Sequence, residues 1–239
     1  MLFAAGLGTR LKPLTDQCPK ALVKVNGRPL IEYVLERLIS FGATEVVVNV
    51  HHFSNMMYDY FNNTSYPITI KISDESDSLL DTGGGLKKAA DLFTADDRPI
   101  LIHNVDIFSN ANLGKLYGEI GSEDALLLVS KRDTSRYLLF NERKELVAWK
   151  NVLTGETKTP YTDLDSSSLS RFAFSGIHVI STKLLKKMEN YPEKFSIVDF
   201  YLKECSNHAI KYIKQDGLEL IDVGKINALD RVGDFLVSQ

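Results

Sequence analysis

The sequence predicts an α/β fold in which a mostly parallel, twisted sheet is flanked by helices. Three observations predict it. Short apolar runs and amphipathic helical stretches alternate along the first half; the apolar runs are continuous, as strands buried on both faces are; and glycines follow the first run directly, where a buried strand opens into a ligand loop. A chain of 239 residues, 44% hydrophobic and 25% charged, can bury a sizeable core and has an ordinary length for one α/β domain. Disordered, collagenous and fibrous classes are thereby excluded. A formal net charge of −3 leaves no sequence-wide positive field for a nucleic-acid backbone or an anionic membrane.

The first strand is read at Leu2–Ala5, ended by Gly6 and Gly8, and a loop runs on to about Gly27. From Pro29, the apolar residues Leu30, Ile31, Val34, Leu35, Leu38 and Ile39 recur at helical spacing, and Gly42 stands where a C-terminal cap belongs. Glu45–Val50, with three consecutive valines, reads as the second strand, and Ser54 is placed to cap a helix through about Phe61. Ile68–Ile72 is the third strand. A turn at Gly83-Gly84-Gly85 precedes a short helix near Leu86–Leu92, and Pro99–His103 is a fourth strand leading to Asp106.

The second half is less regular. Ala125–Ser130 is an apolar strand, and Tyr137–Phe140 with Leu146–Trp149 form a hairpin. Residues 151–170 are polar and rich in Ser and Thr, the composition of a lid or binding loop. Phe172–Ile180 is a strong strand, followed by helices near Thr182–Glu189 and Ser196–Asn207, strands at Ile210–Lys214 and Glu219–Val223, and a last helix from Ile226 to Val237. There is no linker, internal repeat or hexapeptide repeat, so no β-helix module is expected. Two distant cysteines, Cys18 and Cys205, suit a reducing compartment; no apolar run reaches the roughly 18 residues of a membrane span. The apolar start of the chain does not read as a signal peptide, so a cytoplasmic protein is expected.

The richest segment is Ala4-Ala5-Gly6-Leu7-Gly8-Thr9-Arg10-Leu11-Lys12-Pro13-Leu14-Thr15, followed by Pro19-Lys20. Glycines after a buried strand let backbone N–H groups approach an anion. Arg offers a planar fork to phosphate oxygens and Lys a compact charge. Leu11 occupies the third glycine position of the dinucleotide fingerprint, so that motif is not met, and no Walker A loop is present. At these residues the chain resembles the sugar-1-phosphate nucleotidyltransferase family, whose signature runs A-A-G-x-G-T-R-L-x-P-L-T to a P-K pair. The resemblance implies a Rossmann-like nucleotide-diphospho-sugar transferase fold with a small sugar-binding β subregion. It also implies a nucleotide-binding half over about residues 1–120 and a sugar-phosphate half over about 121–239. It assigns Ala4, Ala5, Gly6, Gly8 and Thr9 to wrapping the nucleotide, Arg10 to the β and γ phosphates, and Lys20 to the reacting phosphates and the sugar phosphate.

Asp106 and Asp222 each close an apolar strand. Carboxylates at strand ends of an open parallel sheet face the ligand crevice, and Mg²⁺ takes one or two carboxylates together with waters and phosphates. The resemblance makes both aspartates ligands of the cofactor Mg²⁺, with Asp222 also on the sugar-phosphate side, although Leu220 and Lys225 depart from the family's usual Trp and Thr. Catalysis is thus expected from Arg10, Lys20 and Asp106. Glu75–Gly85, E-S-D-S-L-L-D-T-G-G-G, resembles the stretch that frames the base, which makes Asp81, Thr82, Gly83 and Gly84 candidates for base and ribose contacts. The D-T-G-G-G form is similar to the branch that makes UDP-N-acetylmuramate, with mannose-1-phosphate guanylyltransferases close by, so uracil is favoured. Phe174-Ser175-Gly176-Ile177 resembles the family's sugar-pocket stretch and nominates Gly176. Lys150, in W-K-N where many relatives carry E-K, either keeps a phosphate contact or is a solvated hairpin lysine; Lys150 or Arg171 is also placed to pair with an acceptor carboxylate.

His51-His52 is expected to line a pocket or make a local hydrogen bond, since neighbouring side chains on a strand diverge. His103 and His178 are expected as strand residues with satisfied nitrogens, and Lys87-Lys88 and Lys186-Lys187 as solvated faces. The expected reaction condenses a nucleoside triphosphate, UTP favoured, with a sugar 1-phosphate such as N-acetylmuramate 1-phosphate or a hexose 1-phosphate, without a general base. Mannose-1-phosphate guanylyltransferase and phosphocholine cytidylyltransferase activities are the enzymatic alternatives; a non-catalytic nucleotide-sugar binding subunit is the other. A monomer or homodimer is expected.

Overall fold

The three valines of Glu45–Val50 explain the layering. Side chains alternate across a strand, and in the computed structural model, which describes residues 1–94, 96–164 and 168–237, Val46, Val48 and Val50 enter one core while Val47 enters the other. The elements in chain order are β1 (Leu2–Phe3), β2 (Lys24–Val25), β3 (Arg28–Pro29), α1 (Leu30–Ser40), β4 (Glu45–Val50), α2 (Ser54–Asn63), β5 (Thr69–Asp74), α3 (Asp81–Ala89), β6 (Ile100–Asn104), β7 (Ile107–Ser109), α4 (Leu113–Gly118), β8 (Ala125–Ser130), β9 (Arg136–Phe140), β10 (Leu146–Asn151), β11 (Thr157–Lys158), β12 (Ser170–Ile180), α5 (Thr182–Lys186), α6 (Ile197–Glu204), β13 (Ile210–Lys214), β14 (Leu220–Asp222) and α7 (Asn227–Val237).

The sheet path is β11-β10-β9-β12-β6-β1-β4-β5, with β8 and β13 branching from β12. Strands β5, β4, β1 and β6 are mutually parallel, and β13 lies parallel to β8. The long β12 runs antiparallel to β6, β8 and β9 and joins this wing to the hairpin of β9 and β10. The predicted mostly parallel sheet is therefore present, with an antiparallel β subregion at its far end. One face is covered by α1, α4 and α7 through residues such as Leu30, Val34, Leu113 and Val232. The other is covered by α3, α5 and α6 through Leu86, Leu184, Phe200 and Tyr201. Because β1 is flanked by β4 on one side and β6 on the other, connections leave it in opposite directions, and a crevice opens at the carboxyl ends of these three strands.

Helix α1 ends as expected: Gly42 has φ of 92°, its N–H reaches Ile39 O at 2.9 Å, and Ala43 N reaches Leu38 O at 3.0 Å. Other boundaries are corrected. Gly83, Gly84 and Gly85 form the body of α3 and not a turn before it. Their apparent turn character has a packing cause: a Cβ on Gly84 would lie 2.0 Å from Glu193 O, and one on Gly83 2.4 Å from the Phe195 ring. Ser54 is the first residue of α2 rather than its cap; Phe53 precedes it with φ of 56°. Strand β7 was not anticipated; it pairs with β14 in a separate ribbon. Within 151–170 a short strand, β11, pairs with β10, while residues 165–167 lie outside the described residues. No described helix is long and apolar enough to cross a membrane.

Candidate active site

The crevice holds a cavity of about 520 Å³ lined by the loop from Phe3 to Leu11 together with Lys20, Asn49, Glu75, Leu79, Asp81, Thr82, residues 104–106, Lys194 and Gly224. The glycine loop, Lys20, Asp106, Asp81 and Thr82 are thus brought together from separate segments. Gly8 sits at φ of 62°, and a Cβ there would lie 2.8 Å from Thr15 Cγ2 and 3.1 Å from Lys20 Cβ. That position admits only glycine without strain. Thr15 Oγ1 donates to Gly8 O at 2.9 Å and fixes the bend. Gly6 faces open space, with no atom within 4 Å of an added Cβ. Arg10 passes so close to Gly224 that an added Cβ would lie 2.9 Å from Nη1, which seats the guanidinium on the backbone after β14.

Beneath the loop, Lys20 Nζ donates to Asp106 Oδ2 at 2.5 Å; the Lys20 side chain is 9% exposed and that of Asp106 23%. Asp106 occupies the turn between β6 and β7, and Val223 N donates to Asp106 O at 2.9 Å, so the ribbon of β7 and β14 delivers Asp222 beside it. The Asp222 carboxyl is held above the ordinary carboxylate range, first by burial and then by the neighbouring Asp106, against the pull of Lys20, Arg132 and Arg10. Asp222 nevertheless keeps an open face to solvent. A buried carboxyl held up by a neighbouring carboxylate, as Asp222 is by Asp106, fits a place that can take a cation. Among the described residues no group of three or more His, Cys, Asp or Glu side chains could hold a metal ion. Two aspartates alone would leave an ion to complete its shell with waters and phosphates.

A buried polar relay ties the loop to the opposite wall. Ala4 N donates to Asn49 Oδ1 at 2.7 Å, Asn49 Nδ2 donates to Glu75 Oε1 at 2.7 Å, and Leu80 N reaches Glu75 Oε2 at 3.4 Å. Burial pushes the Glu75 carboxyl above its usual range. His51 Nδ1 pairs with Glu75 O at 2.6 Å, the local bond expected of it, and His52 stacks on Phe53. The polar Asn49 inside a valine run was the signal available in the sequence; Lys194 carried none.

Asp81 lines the cavity with φ of 62°, its Oδ1 accepting from Thr82 N at 2.6 Å. Thr82 Oγ1 accepts from Ile197 N at 3.0 Å, and Gly83 N and Gly84 N both donate to Phe195 O. Gly83 and Gly84 are buried under the 193–195 segment and do not line the cavity. Gly176, at φ of 77°, marks the break in β12 register between Phe174 and His178 and lies against Asn104, whose Nδ2 would be 2.7 Å from an added Cβ. It thus backs a cavity-lining residue. Arg132 Nη2 donates to Phe174 O at 3.0 Å at this same break. Lys150 lies on β10 opposite Tyr137 and Thr157 and is not brought to the cavity.

Two expectations need correction. His103 Nδ1 pairs with Asn104 O at 2.8 Å, but its Nε2 has no partner among the described residues, nor has either nitrogen of His178. Burial pushes His103 down to about 4 and His178 down to about 3. Lys87 is not simply solvated: its Nζ donates to Tyr191 O at 2.6 Å and to Glu189 O at 3.2 Å.

Comparison with known proteins agrees with this geometry. Residues 1–137 match the family model described as nucleotidyl transferase. The chain is 41% identical over 227 residues to N-acetylmuramate alpha-1-phosphate uridylyltransferase of Caulobacter vibrioides, covering 91% of this chain and 88% of that protein. It is 31% identical over 142 residues to mannose-1-phosphate guanyltransferase of Hypocrea jecorina, 57% of this chain and 39% of that one. Among solved structures, a putative glucose-1-phosphate thymidylyltransferase from Bacillus anthracis superposes with a TM-score of 0.77 at 16% identity, over 98% of this chain and 93% of that one. At that identity the likeness speaks for the fold alone. With the signature loop, its ion-paired lysine and aspartate, and these matches in place, the chain belongs to the nucleotidyl transferase family.

Proposed function

We propose that the protein transfers a uridylyl group from UTP to N-acetylmuramate 1-phosphate, giving the UDP-sugar and pyrophosphate. The observation that carries this reading is the Lys20–Asp106 ion pair on the floor of the cavity, directly under the glycine loop and beside Asp222. The 41% identical relative bearing that name, and the D-T-G-G-G form at Asp81–Gly85, support the choice of substrates.

The acceptor phosphate has a second pKa of about 6 and arrives mostly dianionic, so no general base is required. One of its oxygens forms a bond to the α-phosphorus as the bond to the pyrophosphate oxygen breaks, and the leaving group departs with that electron pair. The loop backbone at Gly6 and Gly8 aligns the triphosphate, and Arg10, seated against Gly224, faces the charge that accumulates on pyrophosphate. Lys20 is held at the reacting phosphates by Asp106. Asp106 and Asp222 would hold Mg²⁺, which when bound neutralises phosphate charge as a Lewis acid. Free nucleoside triphosphates belong to the cytoplasm, which supports a cytoplasmic site of action.

The test is Asp106→Asn in a pyrophosphate-release assay with Mg²⁺. The expected loss in kcat is about a thousandfold or more, with an unfolding midpoint near that of the parent. Retention of most of the activity at saturating Mg²⁺ would contradict the assignment.

A further inference from the structure

The cavity has two ends, and their polar groups differ. Gly6–Arg10, Lys20 and Asp106 furnish the phosphate end; Leu79, Asp81, Thr82 and Lys194 furnish the other. Most polar groups at the second end are already occupied: Glu75 accepts from Asn49 and Leu80, and Thr82 Oγ1 accepts from Ile197 N. Two are free. The Lys194 ammonium makes no hydrogen bond or ion pair among the described residues, and Asp81 Oδ2 has no partner, Oδ1 alone being engaged by Thr82.

Lys194 is not loosely placed. It stands in the segment that clamps the start of α3: Gly83 N and Gly84 N donate to Phe195 O at 2.9 and 3.2 Å, Phe195 N donates to Leu80 O at 3.2 Å, and Ile197 N donates to Thr82 Oγ1 at 3.0 Å. Asp81, held at positive φ, lines the same cavity. The second half of the chain thereby lends a cation to a pocket built mostly by the first. A donor-only ammonium and an acceptor-only carboxylate lining one cavity can together match a base edge that offers a carbonyl oxygen next to a ring N–H. Uracil and guanine present that lactam edge. Cytosine and adenine carry an amino group in place of that carbonyl and an unprotonated ring nitrogen in place of the N–H, so with the ammonium at the carbonyl position each would set donor against donor and acceptor against acceptor.

We propose that Lys194, with Asp81 on the lining of the same cavity, is a specificity-determining residue that selects a lactam base, uracil or guanine, over cytosine and adenine. This rests on reading the cavity as the nucleotide site. The test compares the parent protein with Lys194→Met, which keeps the stem and removes the donor, and Lys194→Arg, which keeps a donor. Dissociation constants for UTP, GTP, CTP and ATP are measured directly with Mg²⁺, alongside pyrophosphate release. The parent is expected to bind UTP or GTP at least tenfold more tightly than CTP and ATP; Lys194→Met should weaken the favoured nucleotide by tenfold or more while leaving CTP and ATP within about twofold, and Lys194→Arg should restore most of the difference. An equal loss for all four nucleotides would place Lys194 on the phosphates and overturn the proposal, as would an unchanged UTP-to-CTP ratio or a parent that prefers CTP or ATP. Selective binding without pyrophosphate release would sink the proposed reaction and leave the base reading standing; release with an unaltered ratio would do the reverse.

Discussion

At the scale of single residues, the site depends on side chains that never need to touch a substrate. Asn49 is 3% exposed, yet it bridges the first residue of the glycine loop to Glu75 and thence to the start of α3. Asn49→Ala would leave the Ala4 N–H and a Glu75 oxygen without partners in a buried setting, at a cost of about 1–3 kcal/mol for each group. Urea unfolding should register that loss, and the Michaelis constant for the nucleotide should rise as the loop loses its anchor. Arg10 and Lys20 were legible because a long signature fixes their spacing, and Asp106 because it closes an apolar strand. Lys194 and Arg132 were not: neither sits in a recognisable motif, Lys194 reaches the cavity only when the segment before α6 folds against the first half, and Arg132 finds Phe174 O only once β12 is in place. Lys150 shows the converse, a lysine marked by its neighbours in sequence that the β10 hairpin carries elsewhere.

Secondary-structure elements were read best where burial and periodicity agree. The triple valine of β4, the helical stripe of α1 and the terminal α7 return almost residue for residue. The glycines of α3 misled because glycine has poor helix propensity and is usually punctuation. Here the deciding interaction is tertiary, the close approach of residues 193–195 over the helix. Gly84→Ala should therefore destabilise the protein by more than 1 kcal/mol, since a Cβ would lie 2.0 Å from Glu193 O and backbone must move. Gly118→Ala, in α4 with nothing within 4 Å of the added methyl, should be neutral or stabilising by up to about 1 kcal/mol. Thermal unfolding of the two variants measures the contrast. Strand β7 escaped notice because a three-residue strand carries too little pattern to register, whereas its partner β14 was read within Glu219–Val223.

For the whole molecule, the strand order places the phosphate loop and the relay at the carboxyl ends of central strands, where the β7–β14 ribbon adds Asp222 beside Asp106, and the parallel wing was foreseen from the alternation of elements. The fate of the buried histidines was not, because hydrogen-bond partners are set by packing. Their folded values near 4 and 3 lie below the ordinary value of about 6.5. Their contribution to stability is therefore complete above about pH 6.5 and is lost as pH falls toward the folded values, with a slope of up to about 1.4 kcal/mol per pH unit for each histidine. Chemical denaturation between pH 7 and pH 4 should show that decline, and His178→Leu should flatten it. The central claim, nucleotidyl transfer at the Lys20–Asp106 floor, is tested most directly by pyrophosphate release across four nucleoside triphosphates and several sugar 1-phosphates with Mg²⁺, run on the parent and on Asp106→Asn. The account predicts release from UTP with N-acetylmuramate 1-phosphate by the parent and none above background by the variant; no release from any pair, or equal release by both proteins, would contradict it.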